Sequence, residues 1–215
     1  VGDKAACQKQ NAFTKKITLS MFLLFMLLAW RSNAQYISYV EDFNITDLKP
    51  YNGSPLAIGS EAGIPEGLTF NTDGSKMYIV GQSGDEVNQY SLSTPFNTNS
   101  GVTHDGFYSV AAQYGSNPRV YGITFNNDGS RMFIVGSTGP ELTQYTLTTP
   151  FDITSGVTYD ASYDFLGAGF NSQTIIVFND TGNKMYVKEG FGITQFSLSV
   201  AFDITSTIAE EGTYT

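Results

Sequence analysis

The sequence repeats itself with a period of 53 to 55 residues, and this repeat constrains the fold more than any other feature. Its first block pairs Phe-Asn with a Gly-containing turn and then Met-Tyr or Met-Phe. Successive phenylalanines of the block, Phe70, Phe125 and Phe178, lie 55 and then 53 residues apart. A fixed period of this kind predicts a structural unit that buries its apolar faces against its neighbours.

A second block follows each copy of the first. It carries Gln-Tyr or Gln-Phe and ends on phenylalanine, as in residues 88–96, 143–151 and 194–202. The segment Phe43-Asn-Ile-Thr46 resembles the Phe-Asp-Ile-Thr that opens at Phe151 and again at Phe202. We therefore expect the chain to open inside one repeat and to stop inside another.

Each repeat contains four candidate strands and no helical period. In the first complete copy they are residues 68–71, 76–81, 87–93 and 102–111. Asp-Gly between the first two strands predicts a tight hairpin. The second strand is apolar on both faces, as expected for a sheet covered by sheets on either side. Because they recur at identical positions of each repeat, two sets of residues are predicted to be core: Phe96, Phe151 and Phe202, and Met77, Met132 and Met185. A recurring glutamine, at positions 89, 144 and 195, is predicted to bond a neighbouring strand or blade.

Four strands in about 53 residues match one blade of a β-propeller rather than one coil of a solenoid. We predict an all-β fold of about three four-stranded antiparallel blades in an incomplete, open propeller, because closed propellers have about 4 to 8 blades. The expected divisions are a leader at 1–34, the end of a partial blade at 35–66, blades at 67–121 and 122–174, and a truncated blade at 175–215.

The pattern Phe-Asn-x-Asp-Gly-Ser-Lys/Arg-Met-Tyr/Phe-Ile-Val at Phe70 and Phe125 resembles the repeats of YVTN-type and TolB-like bacterial β-propellers. In those repeats a similar Asp-Gly hairpin joins the first two strands of each blade. The resemblance covers about residues 37–215. It implies the fold but not the function, because proteins of those families bind and process many unrelated molecules.

The N-terminus has the pattern of a secretory signal peptide. Lys15 and Lys16 precede an apolar run at residues 17–30, and Ser32-Asn-Ala34 provides a cleavage site before Gln35. A membrane anchor is the alternative, but the run is shorter than the roughly 20 residues of a span. We predict an exported protein, periplasmic, cell-surface or extracellular, without a stable membrane span after cleavage.

Cleavage would also change the chemistry of the chain. It removes the single cysteine, Cys7, and with it any disulfide or thiol chemistry. It takes five of the 11 basic residues and one of the 20 acidic residues, so the net charge falls from −9 to −13. Such an acidic surface repels phosphate backbones and anionic lipid, and we expect no nucleic-acid partner.

Catalytic and metal signatures are sparse. His104 is the only histidine, and its surroundings resemble neither a triad nor a nucleophile elbow. The Asn/Asp-rich turns at Asp73, Asp128 and Asp180 could hold calcium, but a hairpin explains them better, since the repeat preserves the glycine and not the aspartate. We predict no catalytic residue, no metal and no cofactor. These sparse signatures favour a protein without catalytic activity over an enzyme.

The loops that differ between copies are the best candidates for binding. By analogy with propellers, ligands are expected where the second strand joins the third and where one blade joins the next. The side chains there that could contact a ligand are Glu66, Asp85, Tyr114, Arg119, Glu141 and Glu189.

Three functions remain open at this stage. The leading hypothesis is a secreted or surface binding module for an unknown protein or carbohydrate, with further blades of the same chain as its structural partners. The first alternative is an enzyme, lactonase-like or carbohydrate-active, whose site is completed by missing blades. The second is a structural spacer of a larger surface protein.

Overall fold

A computed structural model describes residues 56, 58, 64–82, 86–115, 119–137, 139–165, 175–189 and 192–215. The predicted signal peptide and nearly all of the predicted partial blade at 35–66 lie outside these residues. No helix among them is long and apolar enough to cross a membrane.

The described residues form three four-stranded antiparallel sheets in chain order, named A, B and C. Within each sheet every strand pairs with the next strand along the chain, as in a meander. One helical turn, α1 (Ala111–Tyr114), lies between sheets A and B. The strands are β1 (Ile64–Phe70), β2 (Lys76–Gln82), β3 (Glu86–Leu92) and β4 (Val102–Ser109) in sheet A; β5 (Val120–Phe125), β6 (Arg131–Gly136), β7 (Leu142–Leu147) and β8 (Val157–Tyr163) in sheet B; and β9 (Ile175–Phe178), β10 (Lys184–Glu189), β11 (Gly192–Leu198) and β12 (Ile208–Tyr214) in sheet C.

The predicted all-β fold, with one four-stranded sheet per repeat, is confirmed. The fourth strand of the first blade ends at Ser109, earlier than predicted, because the chain then turns into α1. The segment 175–215, expected to be a truncated blade, forms four strands as the other two repeats do.

A glycine of positive φ closes each first hairpin. Gly74, Gly129 and Gly182 have φ of 71°, 73° and 69°. Asp73 accepts a bond of 2.8 Å from the backbone N–H of Ser75, an Asx-type turn that uses the carboxylate locally. These contacts support the hairpin interpretation of the Asn/Asp-rich segments.

A phenylalanine ring covers each of these glycines. Phe96, Phe151 and Phe202 have positive φ of 57°, 58° and 53°, and the N–H of Phe151 donates to the Gly129 carbonyl at 2.9 Å. The prediction that all three are core residues was wrong for Phe96, whose side chain is 60% exposed. Their shared role is to pack on the hairpin turn.

The sheets pack face to face, with a ring on the second strand of one sheet against a ring on the first strand of the next. Tyr78 of sheet A lies with its ring 4.6 Å from that of Phe125 in sheet B, and Phe133 of sheet B is equally close to Phe178 of sheet C. The methionines of the repeat are buried at all three positions, as predicted: Met77, Met132 and Met185. Core residues therefore lie between successive sheets rather than inside one sandwich.

The recurring glutamine bonds both a neighbouring strand and the next sheet. Gln89 donates from Nε2 to Asp105 of β4 at 2.9 Å, and its Oε1 accepts the N–H of Ile153 in sheet B at 3.0 Å. Gln144 repeats the pattern with Asp160 at 3.0 Å and with Ile204 of sheet C at 2.8 Å. Because a β-bulge places each aspartate opposite its glutamine, the contact is part of the fold and not a ligand site.

Candidate functional site

The first strands of the three sheets line a cavity of about 350 Å³. Its walls come from β1, β5, β6 and β9 and combine aliphatic side chains with polar groups. Among the residues that line it, Glu66 is the charged one. Clefts of about 300–1,000 Å³ with apolar walls and few polar groups are typical of small-molecule sites.

Glycine allows the inner strands of sheets A and B to approach closely beside this cavity. A Cβ placed on Gly67 would lie 2.7 Å from the carbonyl oxygen of Tyr121 and 2.7 Å from Cγ2 of Val80. Both Gly67 and Tyr121 line the cavity, so the close approach shapes its wall.

Glu66 lies at the edge of the cavity on an irregular part of β1. The register of β1 against β2 shifts between Pro65 and Gly67, and such bulges redirect side chains. Gln82 of β2 donates from Nε2 to Oε1 of Glu66 at 2.7 Å. This bond orients a carboxylate, a group that can accept several hydrogen bonds at once.

The backbone of Arg119 lies beside Gln82, the residue that bonds Glu66. It forms an isolated bridge with Gln82, and its carbonyl oxygen accepts the N–H of Ser137 at 3.0 Å. The Ser137 hydroxyl in turn lies 3.1 Å from the hydroxyl of Tyr121. The structure thus brings two of the predicted residues, Glu66 and Arg119, into one neighbourhood.

Three polar residues of this neighbourhood were missed by sequence reasoning: Gln82, Tyr121 and Ser137. They occupy strand ends, where the repeat pattern breaks off. The change from apolar to polar residues after Val80 and Val135 is a signal that could have found Gln82 and Ser137.

Tyr114, another predicted ligand residue, is 2% exposed. Its hydroxyl donates to the Ile134 carbonyl at 3.0 Å and lies 3.0 Å from Oγ1 of Thr143. Because α1 turns this side chain into the core between sheets A and B, Tyr114 holds the connection in place and is not presented to solvent.

Burial also makes Tyr114 sensitive to alkali. Burial raises the pKa of its hydroxyl above the usual value near 10. The folded state therefore keeps the neutral form while the unfolded chain ionises, so stability is complete below pH 10 and falls above it.

We expect Tyr114→Phe to be less stable than the parent at pH 7.5 by about 1–2 kcal/mol, through the lost hydrogen bonds. Above pH 10 the difference between the two proteins should shrink, by at most about 1.4 kcal/mol per pH unit. Urea unfolding of both proteins at pH 7.5 and pH 11 measures this change. A difference that stays constant across this range would contradict the account.

Glu141, another predicted ligand residue, is also buried. It is 6% exposed, and its carboxylate accepts the backbone N–H of Phe165 at 2.5 Å. Its own N–H donates to Oδ1 of Asp164 at 3.1 Å. These bonds fix the turn that follows β8, so Glu141 supports the blade.

The remaining predicted residues contribute less to the site. Asp85 lies outside the described residues, and Glu189 is described only as the last backbone position of β10. His104 is exposed, and its Nε2 lies 2.9 Å from Oδ1 of Asn88. Across the described residues, no group of three or more His, Cys, Asp or Glu side chains could hold a metal ion.

The chain is similar to several solved structures at low sequence identity. No protein-family model matches the chain, and no curated protein matches it either. A structure described as a 6-phosphogluconolactonase from Bacteroides uniformis matches with TM-score 0.49 and 15% identity, covering 69% of this chain and 40% of its own. The periplasmic gluconolactonase of Pseudomonas aeruginosa matches with TM-score 0.48 and 14% identity, covering 69% and 39%. A protein of unknown function from Desulfotomaculum acetoxidans matches with TM-score 0.47 and 16% identity, covering 69% and 41%.

The chain spans about two fifths of the length of these solved structures. Its own sheets define the class: this is an all-β protein of the β-propeller type, with one blade-like four-stranded sheet per repeat. The narrower resemblance to YVTN-type and TolB-like repeats stays a prediction.

Proposed function

We propose that this chain is part of an exported β-propeller that binds a small neutral carbohydrate in the cavity beside β1, β5 and β9. The observation that carries the proposal is the combination of aliphatic side chains with one oriented carboxylate, Glu66, in the same cavity. Export rests on the signal-peptide pattern of residues 1–34.

The chemistry of the cavity favours a ligand that donates hydrogen bonds. Glu66 accepts, and the hydroxyls of Tyr121 and Ser137 can accept as well. A sugar offers hydroxyl donors together with an apolar ring face suited to side chains such as Leu68 and Ile175. The acidic net charge of the protein opposes anionic ligands such as sugar phosphates or sugar acids.

The binding proposal is tested by titrating the protein with neutral monosaccharides and with gluconolactone in a calorimeter. Glu66→Gln removes a charged acceptor and should weaken the affinity about 10- to 100-fold, since hydrogen bonds to charged groups contribute about 1.5–3 kcal/mol. The matched control is Glu210→Gln, on the outer strand β12, which should bind as the parent does. Absence of binding by any of these ligands, or an equal loss in both variants, would refute the proposal.

A second candidate is lactone hydrolysis in the same cavity, the enzyme alternative of the sequence analysis. In that reaction Glu66 would take a proton from the water molecule that attacks the lactone carbonyl and return it to the ring oxygen as the ring C–O bond breaks, which leaves a hydroxy acid. Two of the matched solved structures are described as lactonases, and that activity is theirs. Following the acid released from gluconolactone at constant pH decides between the two candidates. Turnover that Glu66→Gln abolishes would favour the enzyme, and binding without turnover would favour the binding module.

No observation among the described residues specifically favours a structural spacer of a larger surface protein. That function stays a prediction.

A further inference from the structure

Glu66 and Tyr121 occupy the same position of the repeat, in the first strands of sheets A and B. Each comes directly before the glycine of its copy, Gly67 or Gly122. Each is also the extra residue of a β-bulge, because the register of β1 against β2 shifts at Glu66 and that of β5 against β6 shifts at Tyr121. A bulge redirects the side chain of its extra residue. The two side chains therefore leave their sheets at equivalent points, and both residues line the cavity.

The partners of these two side chains are equivalent as well. Gln82 donates from Nε2 to Oε1 of Glu66 at 2.7 Å, and the hydroxyl of Ser137 lies 3.1 Å from the hydroxyl of Tyr121. Gln82 and Ser137 both directly follow the Val-Gly pair that ends the apolar part of the second strand. Two copies of the repeat thus use one backbone arrangement to hold two different polar groups.

The backbone joins the two pairs into one continuous group. Gln82 forms an isolated bridge with Arg119, and the carbonyl oxygen of Arg119 accepts the N–H of Ser137 at 3.0 Å. Nearby, a Cβ placed on Gly67 would lie 2.7 Å from the carbonyl oxygen of Tyr121, so the two first strands touch at this point. The carboxylate and the phenol are therefore held on neighbouring strands beside the same cavity.

The two groups differ in the hydrogen bonds that they can form. An ionised carboxylate has about four acceptor sites and no donor, and the bond from Gln82 uses one site of Glu66. The hydroxyl of Tyr121 can donate or accept, because either oxygen of the Tyr121–Ser137 pair could be the donor. A ligand therefore has to donate at Glu66, whereas at Tyr121 it can do either. Hydroxyl groups meet both requirements.

We propose that the cavity selects rings with at least two hydroxyl groups, one of which bonds Glu66 and another Tyr121. Tyr121 is then a specificity-determining residue, because it distinguishes a polyhydroxy ring from a ring with a single hydroxyl group. The inference rests on the proposed carbohydrate site. It adds to that site a second contact point and the number of hydroxyl groups that are recognised.

The test compares ligands that lack one hydroxyl group. Calorimetry gives the affinities of D-glucose, D-galactose and D-mannose, and then of the monodeoxy analogues of the sugar that binds most tightly. We expect two of the deoxy positions to weaken binding to the parent. One of these losses should shrink in Glu66→Gln and the other should disappear in Tyr121→Phe, because the protein group that paired with the missing hydroxyl is gone.

Tyr121→Phe should also weaken the affinity for the complete sugar, by about 2- to 10-fold, the effect of one neutral hydrogen bond. The variant keeps the aromatic ring, which is buried with 7% of the residue exposed. The matched control is Tyr159→Phe, which removes the same atom from the outer strand β8 and should bind as the parent does.

Ser137 is a positioning residue in this account, because it bonds the hydroxyl of Tyr121. Ser137→Ala should weaken the affinity less than Tyr121→Phe does. In a protein that already carries Tyr121→Phe it should have no further effect, since the two residues act through one bond. Losses that add in the double variant would show that Ser137 acts independently of Tyr121.

The outcomes separate this inference from the proposed function. If the parent binds no sugar, the proposed carbohydrate site and this inference both fail. If the parent binds a sugar and Tyr121→Phe binds it with the same affinity, only this inference is overturned. A loss in Tyr121→Phe that is equal for the complete sugar and for every deoxy analogue would overturn it too, because a change in packing rather than a missing bond would explain that result.

Discussion

Replacing Phe133 with alanine is expected to lower the free energy of unfolding by about 3–5 kcal/mol. The side chain is 0% exposed, and its ring lies 4.6 Å from that of Phe178 in the next sheet. Truncation removes apolar contact area and leaves a cavity between two sheets that are also joined by bonds from Gln144 and Arg131. Urea unfolding at neutral pH measures the loss.

The control for this prediction is the same substitution at Phe107, on the outer strand β4. This side chain is 52% exposed. Phe107→Ala should change the free energy of unfolding by about 0.5 kcal/mol or less. If the two variants lost similar stability, Phe133 would not lie between packed sheets, and the stacking of sheets B and C would be refuted.

Gly129→Ala is expected to cost about 2–5 kcal/mol through two separate effects. The residue has φ of 73°, a conformation that costs a non-glycine residue about 1–2 kcal/mol. The added methyl group would also lie 2.2 Å from the ring of Phe151, so the ring must move. Overpacking of this kind typically adds about 1–3 kcal/mol.

A matched variant separates these two effects. Gly115 has φ of 79° with ψ of −175°, a region that essentially only glycine adopts, and a Cβ built there meets no atom of the described residues within 4 Å. Gly115→Ala should therefore show a backbone cost alone, about 1–3 kcal/mol. Equal losses in the two variants, measured by urea unfolding, would mean that the Phe151 ring does not rest on the turn.

The repeat made the fold predictable because it reports on packing between units. Methionines recur at positions 77, 132 and 185, and all are buried. Met132 and Met185 lie in clusters between successive sheets, whereas Met77 lies in a cluster of sheet A with Ile58. The Asp-Gly pairs identified the hairpins, since a turn of positive φ selects glycine. The prediction for Gln89 followed from a polar residue recurring inside a strand, and it bonds both a strand and the next sheet.

The backbone of Phe96, Phe151 and Phe202 could not be predicted from local preferences. A bulky residue of positive φ is uncommon. Here the N–H of each phenylalanine donates to a hairpin glycine carbonyl, and its ring covers that glycine. The conformation is thus set by contacts between segments 20 to 22 residues apart, which local sequence does not encode.

The candidate site was less predictable because it depends on where connecting segments turn. Tyr114 was expected on a loop, but the single turn α1 directs it into the core. Glu141 was expected at the surface, but a bond to the Phe165 N–H holds it inside. Glu66 was identified by its loop position, whereas its partner Gln82 depends on the register of β1 and β2.

The central claim is that each repeat forms one sheet and that the sheets stack in chain order. Hydrogen exchange of the protein, resolved by mass spectrometry, tests it most directly. We predict three blocks of slow exchange, at β2–β3, β6–β7 and β10–β11, separated by the same 53 to 55 residues as the sequence repeat. Slow exchange whose spacing along the chain differs from this period, or that is confined to one repeat, would contradict the account.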